Sequence, residues 1–273
     1  MPTPFIPPRD LLSELEPAAE RLMNRHLGMA KEWFPHEYIP YSVGRDFDKE
    51  PWTPDQPRIS GVAQIAFEVN LLTEDNLPSY HREIHRMFGG GDGAWINWVN
   101  RWTAEEGRHA IVLRDYLIVT RNIDPIALER GRMQQLQTAY DHDDGGNVLR
   151  GIAYVAFQEL ATRISHRNTG RYSSDPVADE IIDFQMPGVG MANFTRKAAQ
   201  MAKAGIYDLR VHHDEVIWPL LRHWGIFELP NLSPEAERRR EELRVFLERL
   251  DATASRFEAK RAATLERQAA RAG

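Results

Sequence analysis

The chain has 273 residues, a net charge of −6 with both signs well mixed, and no cysteine. Its length fits one large domain with a sizeable core, or two small ones. The charge balance argues against a general nucleic-acid binder, and the missing thiols exclude disulfides, thiolate metal sites and cysteine nucleophiles. No run of about 18 apolar residues suggests a membrane span. The first residues, Met1 to Pro8, lack a basic region followed by an apolar run, so a cytoplasmic protein without a secretory signal is the expectation.

In chain order the pattern is almost wholly helical. Leu11, Leu12, Leu15, Ala18, Ala19, Leu22, Met23 and Leu27 recur at helical spacing. Residues Phe34 to Pro57 are rich in proline, aromatics and turn formers and read as an irregular wrap. Ser60 is placed to cap a helix from Gly61 to Phe88, bent in its middle by Pro78. Gly89 to Gly93 makes a turn, and a second long helix runs from Ala94 to Arg121. Asp124-Pro125 starts a third helix, Asp141 to Gly146 is a loop, and Asn147 to Asn168 is another strong apolar helix. The turn after it spans Thr169 to Asp175. Asp175-Pro176 opens a further helix that Met186-Pro187-Gly188 ends. Shorter helices near 190–204 and 209–223 follow, and Ser233-Pro234 opens a charged helix to the C-terminus. Long helices joined by turns, without strand-like alternation, predict an all-α bundle. Its parts are an N-terminal arm and helix (1–58), a bundle core (59–188) and C-terminal helices (189–273) of one domain.

Chemistry concentrates at Glu106 and His109, the chain's only Glu-x-x-His. A glutamate and a histidine three apart share one helix face and can hold one ion together. Without thiolates, such an ion must take oxygen and imidazole donors, which suits iron, manganese or zinc. Glu74 and Glu159 sit in other apolar helical stretches, where an unpartnered carboxylate is costly. With Gly91 as the apex of the turn, Glu74 and Glu106 both lie roughly 23–25 Å along their helices from it. Two antiparallel helices would therefore set them at one height, with His109 a turn further on the same face. The bland alternative is three surface charges, but Phe67, Leu71, Leu72, Trp98, Trp102, Val112 and Leu113 surround them. The level partner of Glu159 falls near Gln185-Met186, where Pro187-Gly188 stops the helix. No histidine lies between Arg167 and Val211, and Glu180-Ile181-Ile182-Asp183 is the nearest substitute. The second half-site is missing or displaced. His81 and His85 stand too far along their helix to share the metal. His212 and His213 read as ordinary helix-surface or interface groups. His166 could orient a carboxylate or satisfy a core polar group, and Arg238-Arg239-Arg240 and Lys260-Arg261 read as a solvated face.

At three segments, Thr73 to Tyr80, Trp102 to His109 and Phe157 to Thr169, the chain resembles the soluble acyl-acyl-carrier-protein desaturases, in particular their actinobacterial branch. Phe184-Gln185-Met186-Pro187-Gly188 is similar to that branch as well. The resemblance runs from Glu14-Leu15-Glu16-Pro17 to the region of Phe257. It implies a ferritin-like bundle with a di-iron centre of two single glutamates and two Glu-x-x-His pairs. Carried over by motif, Glu74 would be a terminal ligand of the first iron, Glu106 a bridge, His109 a ligand of the first iron and Glu159 a ligand of the second. Thr162 and Ser165 match positions on the oxygen-binding side. The resemblance further implies acyl carrier protein as substrate carrier, a ferredoxin-type electron donor and a homodimer. One departure is large: where the family has its second Glu-x-x-His helix and the helix after it, only Glu180 to Asp183 remain. A true loss and an omission of residues from the sequence both stay open. Three activities follow: an oxygen-dependent di-iron desaturase, a non-catalytic paralogue with one metal half-site or none, or a ferritin-like metal oxidase without an acyl channel.

Overall fold

A computed structural model describes residues 8–138, 147–181 and 194–272. Among them every regular element is helical. The chain divides into two compact units, one up to Phe194 and one from Thr195.

The first unit contains α1 (Pro8–Met29), α2 (Pro35–Tyr38), a 3₁₀ turn (Tyr41–Val43), α3 (Gly61–Glu74), α4 (Leu77–Phe88), α5 (Ala94–Val119), α6 (Pro125–Thr138), α7 (Val148–Ser173) and α8 (Pro176–Ile181). Short polar side chains start these helices by taking orphan amide protons. Ser60 Oγ accepts from Ala63 N, Asn147 Oδ1 from Arg150 N, and Asp124 Oδ1 from Ile126 N and Ala127 N. Asp175 does the same for Val177 N and Ala178 N. At the start of α5 the Glu16 carboxylate of α1 accepts from Ala94 N, and Trp95 Nε1 donates to Leu12 O at 3.0 Å. A Cβ at Gly93 would lie 2.0 Å from Glu16 Oε1, so glycine permits that approach.

The helix expected from Gly61 to Phe88 is two helices, broken at Asp75-Asn76 rather than bent. Pro78 has no N–H, and its ring excludes a helical carbonyl four residues back, at Glu74. The chain restarts with Leu77-Pro78 as the first turn of α4. Glu74 thus becomes the last residue of α3. The helix expected to end at Asn168 runs on to Ser173, where Ser174 takes a left-handed φ of 58°. Its last turns are buried at Thr169 and Gly170, and Asn70 of α3 donates to Thr169 Oγ1 at 3.3 Å. The core lies where Phe67 and Leu71 of α3 meet Val112, Leu113, Tyr116 and Leu117 of α5.

Irregular in backbone, the wrap is fixed at one point. Buried Arg121, at φ 59°, donates from Nε to Gln56 Oε1 at 2.7 Å and from Nη2 to the Glu50 carbonyl. Its guanidinium lies 4.3 Å from the Phe47 ring centroid, and its own carbonyl accepts from Trp52 Nε1. Asn122 Oδ1 accepts from Arg58 N at 2.8 Å, while its amide donates to Tyr116 Oη and Thr120 Oγ1. One helix end therefore satisfies the polar backbone of a loop that has no ladder of its own.

The second unit holds α9 (Phe194–Ala204), α10 (Leu209–Val211), a π-helical turn (His212–Ile217), α11 (Trp218–His223) and α12 (Pro234–Ala272). Ser233 Oγ accepts from Ala236 N at the start of α12. His213, expected as a helix-surface or interface group, is buried: Trp218 Nε1 donates to its Nε2 at 2.9 Å and its Nδ1 meets Asp214 Oδ1 at 2.5 Å. The π turn opens the helix enough to bring Trp218 over it. The loop expected at Asp141 to Gly146 lies outside the described residues, as does the stop expected at Met186 to Gly188.

Candidate metal centre

Side by side, α3 and α5 place Glu74, Glu106 and His109 together, although the helix from which their level heights were counted is broken at Asp75-Asn76. One donor atom from each lies within 4.8 Å of the others, and all three residues are buried. His109 Nδ1 stands 2.7 Å from Glu106 Oε2 and 3.5 Å from Glu74 Oε2. Among the described residues, no hydrogen bond is donated to either Glu74 oxygen or to Glu106 Oε2. Donors bonded at about 2.0–2.2 Å to a common cation stand roughly 3 Å apart when adjacent, so these separations are those of a ligand set.

The electrostatics agree. Burial pushes the Glu74 carboxyl up to about 8, with the neighbouring carboxyls Glu106 and Glu159 adding to the rise and His109 opposing it. Burial, followed by the charge of Glu105, raises Glu106 to about 8 as well. Two acids that resist ionisation beside an imidazole form a site that a cation would relieve.

Aromatic side chains wall the cluster. The Trp33 ring stacks on His109 with centroids 6.0 Å apart, and Arg108 lies 4.5 Å from the same indole while donating to Trp33 O. Trp102 and Tyr80 pack together nearby. Trp102, one turn before Glu106, sends its Nε1–H to Glu159 Oε1 at 3.2 Å. Burial drives the Glu159 carboxyl well above the usual range, with Glu106 as the next cause. His166, fully buried on α7, holds Nε2 at 3.4 Å from Glu74 Oε1, the carboxylate-orienting place that its position allowed.

Thr162 and Ser165 lie on the same helix. Thr162 is buried, and its hydroxyl donates to Gln158 O and accepts from Gln158 Nε2. Ser165 Oγ donates to Asn70 Oδ1 at 3.4 Å. These bonds tie α7 to itself and to α3. His81 Nδ1 pairs with Thr103 Oγ1 at 2.7 Å, and the His85 ring lies 5.6 Å from that of His81, so both stay out of the cluster. The sequence reading missed Asn70, one turn before Glu74, and the hydrogen-bonding role of Trp102. Both sit at helical spacing from a ligand candidate, which is the signal that would have found them.

The fatty acid desaturase family matches residues 8–184 and 179–272, two stretches that meet where the sequence shortens. A Mycobacterium tuberculosis protein named as an acyl-[acyl-carrier-protein] desaturase, DesA1, is 43% identical over 307 aligned positions, covering 95% of this chain and 90% of its own. That aligned span exceeds the chain's 273 residues, so the relative carries internal residues without a counterpart here. The spinach chloroplast stearoyl-[acyl-carrier-protein] 9-desaturase is 29% identical over 63% of this chain and 49% of its own. Among solved structures, that of the acyl-ACP desaturase DesA2 from M. tuberculosis shares the fold, with a TM-score of 0.63 at 24% identity over 85% of this chain and 99% of that one. A ferritin-like helical bundle with a buried Glu-Glu-His cluster, matched along nearly its whole length, makes this chain a member of the acyl-ACP desaturases within the fatty acid desaturase family.

Proposed function

We propose that this chain is an oxygen-dependent desaturase acting on an acyl chain carried by acyl carrier protein. The observation that carries the reading is the buried Glu74–Glu106–His109 cluster in a chain whose relatives bear desaturase names. Two hydrogens leave adjacent carbons, dioxygen is reduced to two waters, two further electrons enter from a ferredoxin-type donor, and two protons come from solvent. The chain works as one desaturase domain in the cytoplasm, as a homodimer.

The donor set fits one iron-class ion. Glu74, Glu106 and His109 would hold it, and when bound it supplies the oxygen chemistry. A second iron asks for a second Glu-x-x-His, which the sequence lacks, so no step is assigned to it. The chain's own residues have separate tasks. Trp33, Tyr80 and Trp102 keep water from the carboxylates, which strengthens every charge interaction inside. Burial favours the protonated forms of Glu74 and Glu106, and both would release their protons on holding a cation. Trp102 fixes one oxygen of Glu159, and His166 braces Glu74.

The missing Glu-x-x-His supports a second reading, a non-catalytic paralogue that binds acyl carrier protein. Iron-replete protein incubated with stearoyl-ACP, reduced ferredoxin and oxygen tests the two. A monounsaturated product by gas chromatography and mass spectrometry supports desaturation. Saturated product alone, from folded protein that still binds the acyl carrier, establishes the paralogue.

A further inference from the structure

We infer that this chain holds one divalent metal ion per polypeptide, on Glu74, Glu106 and His109, and not a pair of ions. The donor inventory comes first. A two-metal site in a bundle of this kind draws two single glutamates and two Glu-x-x-His pairs from four helices. Here the sequence supplies one pair. Among the described residues, Glu74, Glu106 and His109 are the group of three whose donor atoms converge.

Several of the remaining imidazoles of the described residues meet partners elsewhere. His26 bonds the Glu105 carboxylate at 2.9 Å, and His81 bonds Thr103. His36 stacks on Phe34, with ring centroids 5.7 Å apart. His212 pairs with Tyr207 Oη at 2.7 Å, and His213 lies between Trp218 and Asp214. His166 Nε2 stands 3.4 Å from Glu74 Oε1.

Glu159 is the carboxylate left for a second ion, and its Oε1 is taken by the Trp102 N–H. Among the described residues no second group of three donors that includes Glu159 converges, and the sequence offers no second Glu-x-x-His to complete one. The expectation of two ions rests on the desaturase reading, whereas the donor count does not.

Metal content tests this without substrate. Full-length protein, stripped with chelator and titrated with Mn²⁺, is desalted and its metal measured by mass spectrometry, with electron paramagnetic resonance on the same samples. The expected result is saturation at one Mn²⁺ per chain, with the six-line signal of an isolated ion. Glu106→Gln should reduce retained Mn²⁺ at least tenfold, while Glu159→Gln leaves the stoichiometry at one. Circular dichroism confirms that each variant is folded. Two ions per chain with a spin-coupled signal, loss of binding in Glu159→Gln, full retention in Glu106→Gln, or no retained metal would each overturn the inference. A protein that binds one ion and yields no unsaturated product would sink the activity proposal and leave the stoichiometry standing.

Discussion

Replacing Glu74 with Gln should stabilise the metal-free protein at neutral pH while abolishing its stabilisation by metal. The Glu74 side chain is fully buried and accepts no hydrogen bond, and its carboxyl is raised from 4.5 to about 8. A carboxyl raised in the folded state contributes stability that is complete below its unfolded value and is lost as pH climbs through the folded one. At pH 7 the gap of about 2.5 pH units above the unfolded value corresponds to a loss of about 3 kcal/mol. The neutral amide of Glu74→Gln has no proton to lose and escapes it. The assay is urea denaturation with chelator present, at pH 5, 6, 7 and 8. The variant and the parent should agree near pH 5. By pH 7 the variant should unfold at a urea midpoint higher by about 1 M, given slopes near 3 kcal/mol per molar. Adding Mn²⁺ should raise the parent's midpoint and leave the variant's unchanged. A parent more stable than Glu74→Gln at pH 7 without metal, or a difference that ignores pH, would refute the reasoning.

Arg121→Ala removes the hydrogen bonds to Gln56 and Glu50 and the stacking on Phe47, and should cost about 2–4 kcal/mol in thermal or urea unfolding. Arg121→Gly should cost less than Arg121→Ala, because glycine adopts the φ of 59° without strain, so the opposite order would show that backbone strain is absent there. Trp102→Phe keeps the packing and deletes the N–H on Glu159, which should lower metal-free stability by about 1–2 kcal/mol at neutral pH. His213→Ala strands the Trp218 N–H and should destabilise the protein by about 2–3 kcal/mol without changing Mn²⁺ stoichiometry, as read by calorimetry and metal analysis.

Helix starts were legible because capping is local: Ser60, Asp124, Asn147, Asp175 and Ser233 each act within three residues of themselves. The nearness of Glu74 to Glu106 was legible from helix rise and the glycine turn, although that count assumed a helix unbroken at Asp75-Asn76. Pro78 marked a disturbance, but whether a proline bends or breaks a helix depends on what its freed neighbours pack against. The extension of α7 depends on Asn70 reaching Thr169, a contact 99 residues apart in sequence. The anchoring of the wrap by Arg121 and Asn122 is equally non-local. An arginine after a long helix looks like a solvated end until the loop carbonyls are seen to lie around it. The burial of His213 could not be told from a surface or interface place in the sequence, because a π-helical turn shifts the side-chain phase on which such an assignment rests.

All three candidate metal donors come from α3 and α5, with only α4 and two short turns between them. Contacts between segments so close in sequence require little loop-closure entropy and can form early, before the remaining helices have docked. The backbone that carries Glu74, Glu106 and His109 is therefore local, whereas His166 of α7 meets Glu74 from a much later stretch of chain. A change of chain beyond Asp179 would leave the helices that carry these three donors untouched in sequence.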